Sequence, residues 1–161
     1  MNRVRVAILT VSDAGARGER ADTSGDRIAQ WVAARGYELA GRSLVADETG
    51  EIVRALLGWA DGDCCDLILT TGGTGLTPTD RTPEATRPFL THEVPGVAEA
   101  IRARGVAHGI PTAVLSRGLA GLAGRTLVVN IPGSTGGVRD ALEVLAEVLP
   151  HALSQAHGGD H

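Results

Sequence analysis

The fold is decided by residues 66–75, which read Asp-Leu-Ile-Leu-Thr-Thr-Gly-Gly-Thr-Gly. The apolar run at the start is typical of a strand that is buried on both faces in a parallel sheet. The loop predicted from Thr71 to Arg81 begins with three glycines in four positions, which permit positive φ angles and close approach of the backbone to a ligand. This transition from strand to loop predicts an α/β fold with binding loops at its strand ends.

Four further segments predict the other strands. Val4–Val11 is a nearly continuous aliphatic run, and Leu127–Ile131 is similar, so both are expected inside the sheet. Tyr37–Ala46 alternates more, which places it nearer an edge. Thr112–Leu115 is expected as a further short strand.

Helical patterns alternate with these strands. Each has apolar residues at helical spacing or a recognisable start, such as Thr82 as an N-cap followed by proline and an acidic residue. The expected helices include one ending at Gly36, one over Thr49–Ala60, one over Val94–Ala107 and a last one carrying Val138 to Leu149 on one face. We therefore expect a three-layer α/β/α sandwich with a mostly parallel sheet.

Length and composition limit the classes of function that this protein could have. The 161 residues predict a single domain over 1–161, with a frayed tail at about 157–161. Lys plus Arg total 15 against 19 for Asp plus Glu, and all 15 cations are arginine. A net charge of −4 lacks the basic footprint of a duplex nucleic-acid partner. The absence of lysine excludes a P-loop lysine and Schiff-base chemistry.

Several other classes of site find no support in the sequence. The four aromatic residues are too few for a base-stacking surface. No apolar stretch approaches the length of about 18 residues that a membrane span needs, so we expect no membrane partner and a cytoplasmic protein. The adjacent Cys64 and Cys65 are interpreted as buried small apolar residues. The five histidines are scattered and are interpreted as surface or capping residues.

Three strand exits are rich in glycine, serine and threonine, namely residues 12–25, 70–80 and 130–137. Ligands of open α/β sheets bind beyond the carboxyl ends of strands, where free N–H groups of helix N-termini attract anions. A tight strand-to-helix turn is the alternative for one such loop. Three of them together favour a site for a phosphate-bearing ligand.

Carboxylates in the same loops suggest a divalent cation. Asp47 ends the second strand, Asp80 follows the glycines, and Asp13 follows the first strand. Mg²⁺ at phosphate sites takes one or two carboxylates, with phosphate oxygens and waters completing its shell. Each aspartate alone could instead cap a helix or face solvent. The residues by themselves therefore predict a phosphate-bearing ligand with Mg²⁺, and no more.

A specific set of motifs extends from about Val4 to Leu149. It comprises Thr10-Val11-Ser12-Asp13, Asp22-Thr23-Ser24-Gly25, the glycine loop 70–75 with 79–85, Leu115-Ser116-Arg117, and Ile131-Pro132-Gly133-Ser134. These residues closely resemble the MogA/MoaB family of molybdenum cofactor biosynthesis proteins. The resemblance implies a molybdopterin-binding fold. It also implies an activity in which Mg²⁺-ATP donates AMP to the terminal phosphate of molybdopterin and pyrophosphate is released.

The resemblance also implies roles for individual residues. Asp47 and Asp80 match the acidic family positions linked to Mg²⁺ and catalysis. The expected positions for binding substrate and nucleotide are Ser12, Asp13, Thr23, Ser24, Gly25, Gly72, Gly73, Thr74, Gly75, Ser116, Arg117, Pro132, Gly133 and Ser134. Because lysine is absent, Arg81 and Arg117 are the candidates to neutralise phosphate charge.

The same resemblance implies a homotrimer and a molybdenum-insertion enzyme as a protein partner. Two alternatives to the transferase remain open at this point. The protein could bind molybdopterin or its precursor without catalysis, as a carrier of the MoaB branch. It could also be a domain homologous to those of molybdenum-insertion or competence-related proteins. The pair Asp47 and Asp80 favours the transferase, because simple binding has less need of a metal pair.

Overall fold

The computed structural model describes residues 3–61 and 63–160. Met1, Asn2, Gly62 and His161, which the domain expected over 1–161 includes, lie outside these residues. Six strands of the described part form one sheet in the order β2-β1-β3-β6-β5-β4. They are β1 (Arg5–Val11), β2 (Glu38–Val45), β3 (Leu67–Thr71), β4 (His92–Glu93), β5 (Ala120–Ala123) and β6 (Thr126–Ile131).

Helices cover both faces of this sheet. They are α1 (Asp13–Ala16), α2 (Thr23–Ala34), α3 (Thr49–Ala60), α4 (Thr82–Thr86), α5 (Pro95–Ala107) and α6 (Thr135–Ala156). Two 3₁₀ segments, Arg87–Phe89 and Pro111–Leu115, complete the regular structure of the described residues. Within those residues, no helix combines the length and the apolar character that crossing a membrane requires.

Successive residues of the central strands serve two separate cores. Val6 and Ile8 of β1 pack into the core that contains the buried faces of α2 and α6. Ala7 and Leu9, the residues between and after them, pack into a second core with α3. Side chains of a strand alternate between the faces of its sheet, so an aliphatic residue is needed at nearly every position. The expected three-layer architecture is therefore confirmed.

Strands β2, β1, β3 and β6 run parallel to one another. Their carboxyl ends consequently lie at one edge of the sheet, and the loops that follow them gather there. Strand β2 is the edge strand that its alternating sequence predicts. Helix α3 spans the expected residues 49–60.

The prediction of a strand at Thr112–Leu115 is wrong. Those residues belong to the 3₁₀ segment Pro111–Leu115, where proline occupies the first turn and Val114 is 61% exposed. On the side of β6 away from β3, the neighbouring strand is instead β5. It pairs antiparallel with β6, and the two-residue turn at Gly124 and Arg125 connects them. Short alanines and a glycine give β5 no apolar periodicity, and this is why the sequence pattern does not reveal it.

Candidate functional site

The three expected exits meet at Gly72. Its N–H donates to the carbonyl of Ile131 at 3.0 Å, and a Cβ built on it would lie 2.3 Å from the carbonyl oxygen of Val11. The φ of Gly72 is 95°, a conformation that side chains strongly disfavour. Gly133 packs against the Cα of Gly72, at 3.2 Å from a Cβ built on Gly133. Only glycine lets the ends of β1, β3 and β6 approach this closely.

Hydroxyl groups tie the same loops together. Thr71 Oγ1 donates to the carbonyl of Pro132 at 3.0 Å, and Ser24 Oγ donates to the carbonyl of Gly133 at 3.0 Å. Ser12 and Ser134 cap helices instead, because their hydroxyl oxygens accept from the N–H groups of Gly15 and Gly137. Ser12, Ser24 and Ser134, which were expected to contact ligand, therefore hold the loops and helix ends in place in this structure.

The first cavity, of about 470 Å³, opens where these loops meet. The N-termini of α2 and α6 both reach it, through Thr23 and Ser24 and through Ser134 and Thr135. Free N–H groups at a helix N-terminus favour a bound anion. Arg20 is exposed and adds a cation to the lining. This cavity has the chemistry of a polyanion site.

The second cavity, of about 460 Å³, is lined by Pro132 and Ser134 of the loop that follows β6. Ser134 lines both cavities. The walls of the second cavity are more apolar and come from α5, the 3₁₀ segment and the start of α6, with Thr74 and Gly75 at one side. Two ligands bound in these cavities would therefore lie next to each other at Ser134.

Three carboxylates are grouped beside the glycine loop. Asp13 Oδ1 accepts the N–H of Asp47 at 2.9 Å. Burial raises the pKa of the Asp47 carboxyl, and the negative charges of Asp13 and Asp80 raise that pKa further. Cβ atoms built on Gly73 and Gly75 would lie 3.2 Å from Asp47 Oδ1 and 2.7 Å from Asp80 Oδ2, so both carboxylates pack against the same loop.

The Asp47 carboxylate has an unsatisfied atom. Its Oδ1 is buried and accepts no hydrogen bond from any residue in the described part of the chain. A buried carboxylate oxygen without a donor is unusual and calls for a cation or an ordered water. Asp80 is held differently, because its Oδ2 accepts from the N–H and hydroxyl of Thr77 at 3.0 and 2.8 Å. The donor set fits a hard divalent cation such as Mg²⁺, which prefers oxygen ligands.

Thr82 does not cap α4 as expected. Arg81 occupies the cap position and Thr82 is the first helical residue. The hydroxyl of Thr82 donates to the carbonyl of Gly72 at 3.0 Å, and its N–H donates to the carbonyl of Gly73 at 3.1 Å. Thr82 thus anchors the glycine loop on α4, because tertiary hydrogen bonds replace the local cap.

The expected site residues divide into three groups. Those that line the first cavity are Ser12, Thr23, Ser24, Gly72, Gly133 and Ser134. Those that line the second are Thr74, Gly75, Ser116, Pro132 and, again, Ser134. The remaining residues line neither cavity and shape the loops around them: Asp13, Gly25, Asp47, Gly73, Asp80 and Arg117.

Sequence reasoning missed other residues that line the cavities. Asp22 is the N-cap of α2, and its carboxylate also accepts from Thr10 Oγ1 at 2.9 Å at the wall of the first cavity. Its position directly before Thr23 was a capping signal that could have identified it. Arg102 and Asp140 of the second cavity carry no local motif, and only the packing of α5 on α6 brings them together.

Comparisons with known proteins agree with this fold. Residues 7–151 match the family described as "Probable molybdopterin binding domain". The solved structure of the molybdopterin biosynthesis enzyme MoaB from Thermus thermophilus is 54% identical, with a TM-score of 0.89, and the match covers 96% of this chain and 97% of that one.

Two curated relatives extend this result. Molybdopterin adenylyltransferase of Helicobacter pylori strain J99 is 33% identical over 160 residues, which covers 95% of this chain and 88% of that protein. The molybdenum cofactor synthesis protein cinnamon of Drosophila melanogaster is 37% identical over 155 residues. This chain spans only 26% of the length of the Drosophila protein. The chain therefore belongs to the MogA/MoaB family of molybdopterin-binding domains.

Proposed function

We propose that this protein acts in molybdenum cofactor biosynthesis as a molybdopterin adenylyltransferase. In the proposed reaction, an oxygen of the terminal phosphate of molybdopterin forms a bond to the α-phosphorus of ATP, and the bond from that phosphorus to pyrophosphate breaks. The products are adenylyl-molybdopterin and pyrophosphate. Two adjacent cavities that share Ser134 support a reaction between two substrates.

The observation that carries the proposal is the unsatisfied Oδ1 of Asp47 beside the charges of Asp13 and Asp80. Asp47 and Asp80 would hold Mg²⁺, as their family positions imply. When bound there, Mg²⁺ would neutralise phosphate charge. A site that only binds a pterin has no evident use for carboxylates kept together at this electrostatic cost.

The chain's own groups are suited to bring two polyanions together. The N-termini of α2 and α6 present N–H groups to the first cavity, and they need no reorganisation when charge develops. Arg20 lines that cavity, and no side-chain hydrogen bond or ion pair occupies Arg81 among the described residues. Arg20 is therefore a cation available to phosphate in that cavity, whereas Arg81 lines neither cavity. Catalysis would rest on positioning and charge rather than on a protein nucleophile.

The experiment is an assay of the purified protein with molybdopterin, ATP and Mg²⁺ in which pyrophosphate release is measured. We expect release that requires all three components and is lost in Asp80→Asn, while the far-ultraviolet circular dichroism of that variant is unchanged. Tight binding of molybdopterin without pyrophosphate release would reject the transferase and identify a carrier. Full turnover by Asp80→Asn at saturating Mg²⁺-ATP would reject the metal role of Asp80.

Expectations about assembly and location belong to the same proposal. The family resemblance supports a homotrimer, which light scattering of the purified protein tests directly. A molybdenum-insertion enzyme is the expected consumer of the adenylylated product and therefore the expected partner. A cytoplasmic location is the expectation for a pathway of small soluble intermediates.

A further inference from the structure

Two neighbouring thiols converge on the last turn of α3. Sγ of Cys64 donates to the carbonyl of Trp59 at 3.2 Å, and Sγ of Cys65 donates to the same carbonyl at 3.7 Å. Adjacent side chains of an extended strand point to opposite sides. Between α3 and β3, both sulfur atoms instead lie beside one oxygen atom.

The shared oxygen belongs to the C-terminal end of a helix. Trp59 is the second-to-last residue of α3, and the last carbonyls of a helix have no partner inside it. These carbonyls form the negative end of the helix dipole, which attracts cations. Cys64 Sγ also lies 3.9 Å from the carbonyl oxygen of Gly58. Sulfur and carbonyl oxygen atoms are thus grouped where a positive charge is favoured.

The backbone on both sides of the two thiols is fixed by distant residues. Thr126 Oγ1 donates to the carbonyl of Cys65 at 2.9 Å, and Arg5 Nη1 donates to the carbonyl of Asp63 at 2.8 Å. Cys65 is 1% exposed and packs in the second core, as expected, whereas Cys64 is only partly buried. The fold therefore holds the two sulfur atoms together and leaves an approach from solvent through Cys64.

The charges around the thiols decide which kind of ion fits them. Asp63 precedes the pair and Asp66 follows it, and Arg5 is the cation that contacts both carboxylates. Burial and the neighbouring Cys64 raise the pKa of the Cys65 thiol to about 12, so this thiol is neutral at pH 7. A monovalent ion on two thiolates would add a negative charge between the aspartates. A divalent ion replaces two thiol protons and leaves the charge unchanged.

A second cluster of potential metal ligands among the described residues is a poorer cation site. Ligand atoms of His108, Asp140 and Glu143 lie within 4.8 Å of one another. However, Arg139 donates to Asp140 Oδ1, and Arg104 donates to Glu143 Oε2, at 3.3 Å each. A cation there would have to displace both guanidinium groups. In the described part of the chain, no guanidinium donates to either cysteine sulfur.

We propose that Cys64 and Cys65 form a binding site for a thiophilic divalent cation of the Zn²⁺ and Cd²⁺ class. Two S–H bonds break, two bonds from sulfur to the metal form, and two protons enter the solvent. The carbonyl oxygen of Trp59 is the third protein ligand, and water completes a tetrahedral shell. The site lies before β3, at the end of the sheet opposite the cavities, so it does not depend on the proposed reaction.

The test is a titration of the full chain, reduced and freed of metal by a chelator, with Cd²⁺ in weakly buffered solution. Cd²⁺ bound to thiolates gives a charge-transfer band in the ultraviolet that oxygen ligands do not give. We expect one ion per chain and two protons released per ion. The affinity should therefore rise by about 100-fold for each pH unit near neutrality. Zn²⁺ should displace Cd²⁺ and abolish the band.

Cys64→Ser and Cys65→Ser test the two ligands separately. Serine keeps a hydroxyl group that can donate to the Trp59 carbonyl, so the end of α3 should stay intact. In each variant the protons released per ion should fall to about one. Affinity should fall by more than about tenfold, since losing a direct ligand costs at least as much as losing a residue that orients one. His108→Gln, in the second cluster, is the matched control and should titrate like the wild type.

The wild-type band and proton count decide the question even if both serine variants fail to fold. Absence of the band or release of fewer than two protons per ion would overturn the inference. A band of full intensity in either serine variant would also overturn it. Pyrophosphate release is not part of any of these measurements, so failure of the transferase would leave the metal site standing, and the reverse holds as well.

Discussion

Arg117 donates a hydrogen bond of 2.8 Å from Nη2 to the carbonyl oxygen of Asp80. The same guanidinium donates from Nε to the carbonyl of Gly75 at 2.8 Å and from Nη1 to the carboxylate of Glu84. Its backbone N–H donates to the carbonyl of Thr74 at 2.8 Å. The arginine that sequence reasoning assigned to phosphate is therefore engaged with the loop, and it connects both ends of residues 75–80.

Replacing this arginine should loosen the loop that carries Asp80. In Arg117→Lys, one ammonium group cannot reach the three acceptors that the planar guanidinium spans. We expect faster hydrogen exchange at the amides of residues 75–80 and, in the pyrophosphate assay, a kcat lower by about 10- to 100-fold with a smaller change in KM. Arg125→Lys, at an exposed arginine of the β5–β6 turn, is the matched control. Unchanged exchange in the loop would contradict the role.

Gly73 should tolerate no side chain. Its φ is 68°, and a Cβ built on it would lie 2.2 Å from Thr82 Oγ1 and 3.2 Å from Asp47 Oδ1. Gly73→Ala should lower the free energy of unfolding by about 1–3 kcal/mol, because strain and the displaced Thr82 add. Urea denaturation measures this. Gly58→Ala, in the interior of α3 with open space around the new methyl group, should instead stabilise by about 0.5–1 kcal/mol.

The Asp47 carboxylate should lower the stability of the folded protein at neutral pH. Its folded pKa is raised above the ordinary value of 3.8, so the folded state binds this proton more tightly than the unfolded state does. Stability should therefore fall as the pH rises from about 3.8 through the folded pKa, and it should stay lower at neutral pH. We expect Asp47→Asn to melt at a higher temperature than the wild type at pH 7.

The Asp47→Asn variant also tests whether Mg²⁺ binds at this carboxylate. Addition of Mg²⁺ should raise the melting temperature of the wild type, because a bound cation relieves the repulsion among Asp13, Asp47 and Asp80. It should leave Asp47→Asn nearly unchanged. Asp61→Asn, at an exposed aspartate after α3, should respond like the wild type. An equal response to Mg²⁺ in all three proteins would remove Asp47 from the metal site.

Replacing Arg5 should lower the stability of the fold and leave ligand affinity unchanged. Burial acts to raise the pKa of the Asp66 carboxyl, but the hydrogen bonds and charge of Arg5, with the charge of His157, lower it overall. The pair then contributes stability above the unfolded pKa of Asp66, and this stability is lost as the pH falls through the folded pKa. At pH 7, Arg5→Met should cost about 1–3 kcal/mol, because the Asp66 carboxylate loses the guanidinium and keeps only the backbone N–H of residue 5 and the contact with His157.

Urea unfolding measures this cost, and two companion variants check its origin. Adding Asp66→Asn to Arg5→Met should recover part of the loss, because the unpaired charge is removed. Arg3→Met, at an exposed arginine beside it in the sequence, should change stability by less than about 0.5 kcal/mol. Asp66 precedes β3 at the end opposite the cavities, so ligand affinity per folded molecule should not change in any of them. A loss of affinity would contradict the assignment.

Some features of this protein could be read from local sequence. The aliphatic runs at 4–11, 66–70 and 127–131 predict strands buried on both faces, because alternate residues must satisfy two separate cores. The glycine-rich loop after β3 predicts positive φ angles, which Gly72 and Gly73 adopt at 95° and 68°. The bounds of α3 follow from residues within the helix itself. All these signals are local, since each lies within a few residues of the structure that it predicts.

Other features were decided by the tertiary structure alone. The β5–β6 hairpin lacks a periodic signal in the sequence. Thr82, which was expected to cap α4, instead donates hydrogen bonds to the carbonyl groups of Gly72 and Gly73. The contacts of Arg117 with Asp80 and of His108 with Asp140 Oδ1 join segments more than 30 residues apart. Local propensity carries no information about which distant group will satisfy a donor or acceptor. Such pairings are set only when the layers pack and exclude water, because burial then makes each unpaired polar group costly.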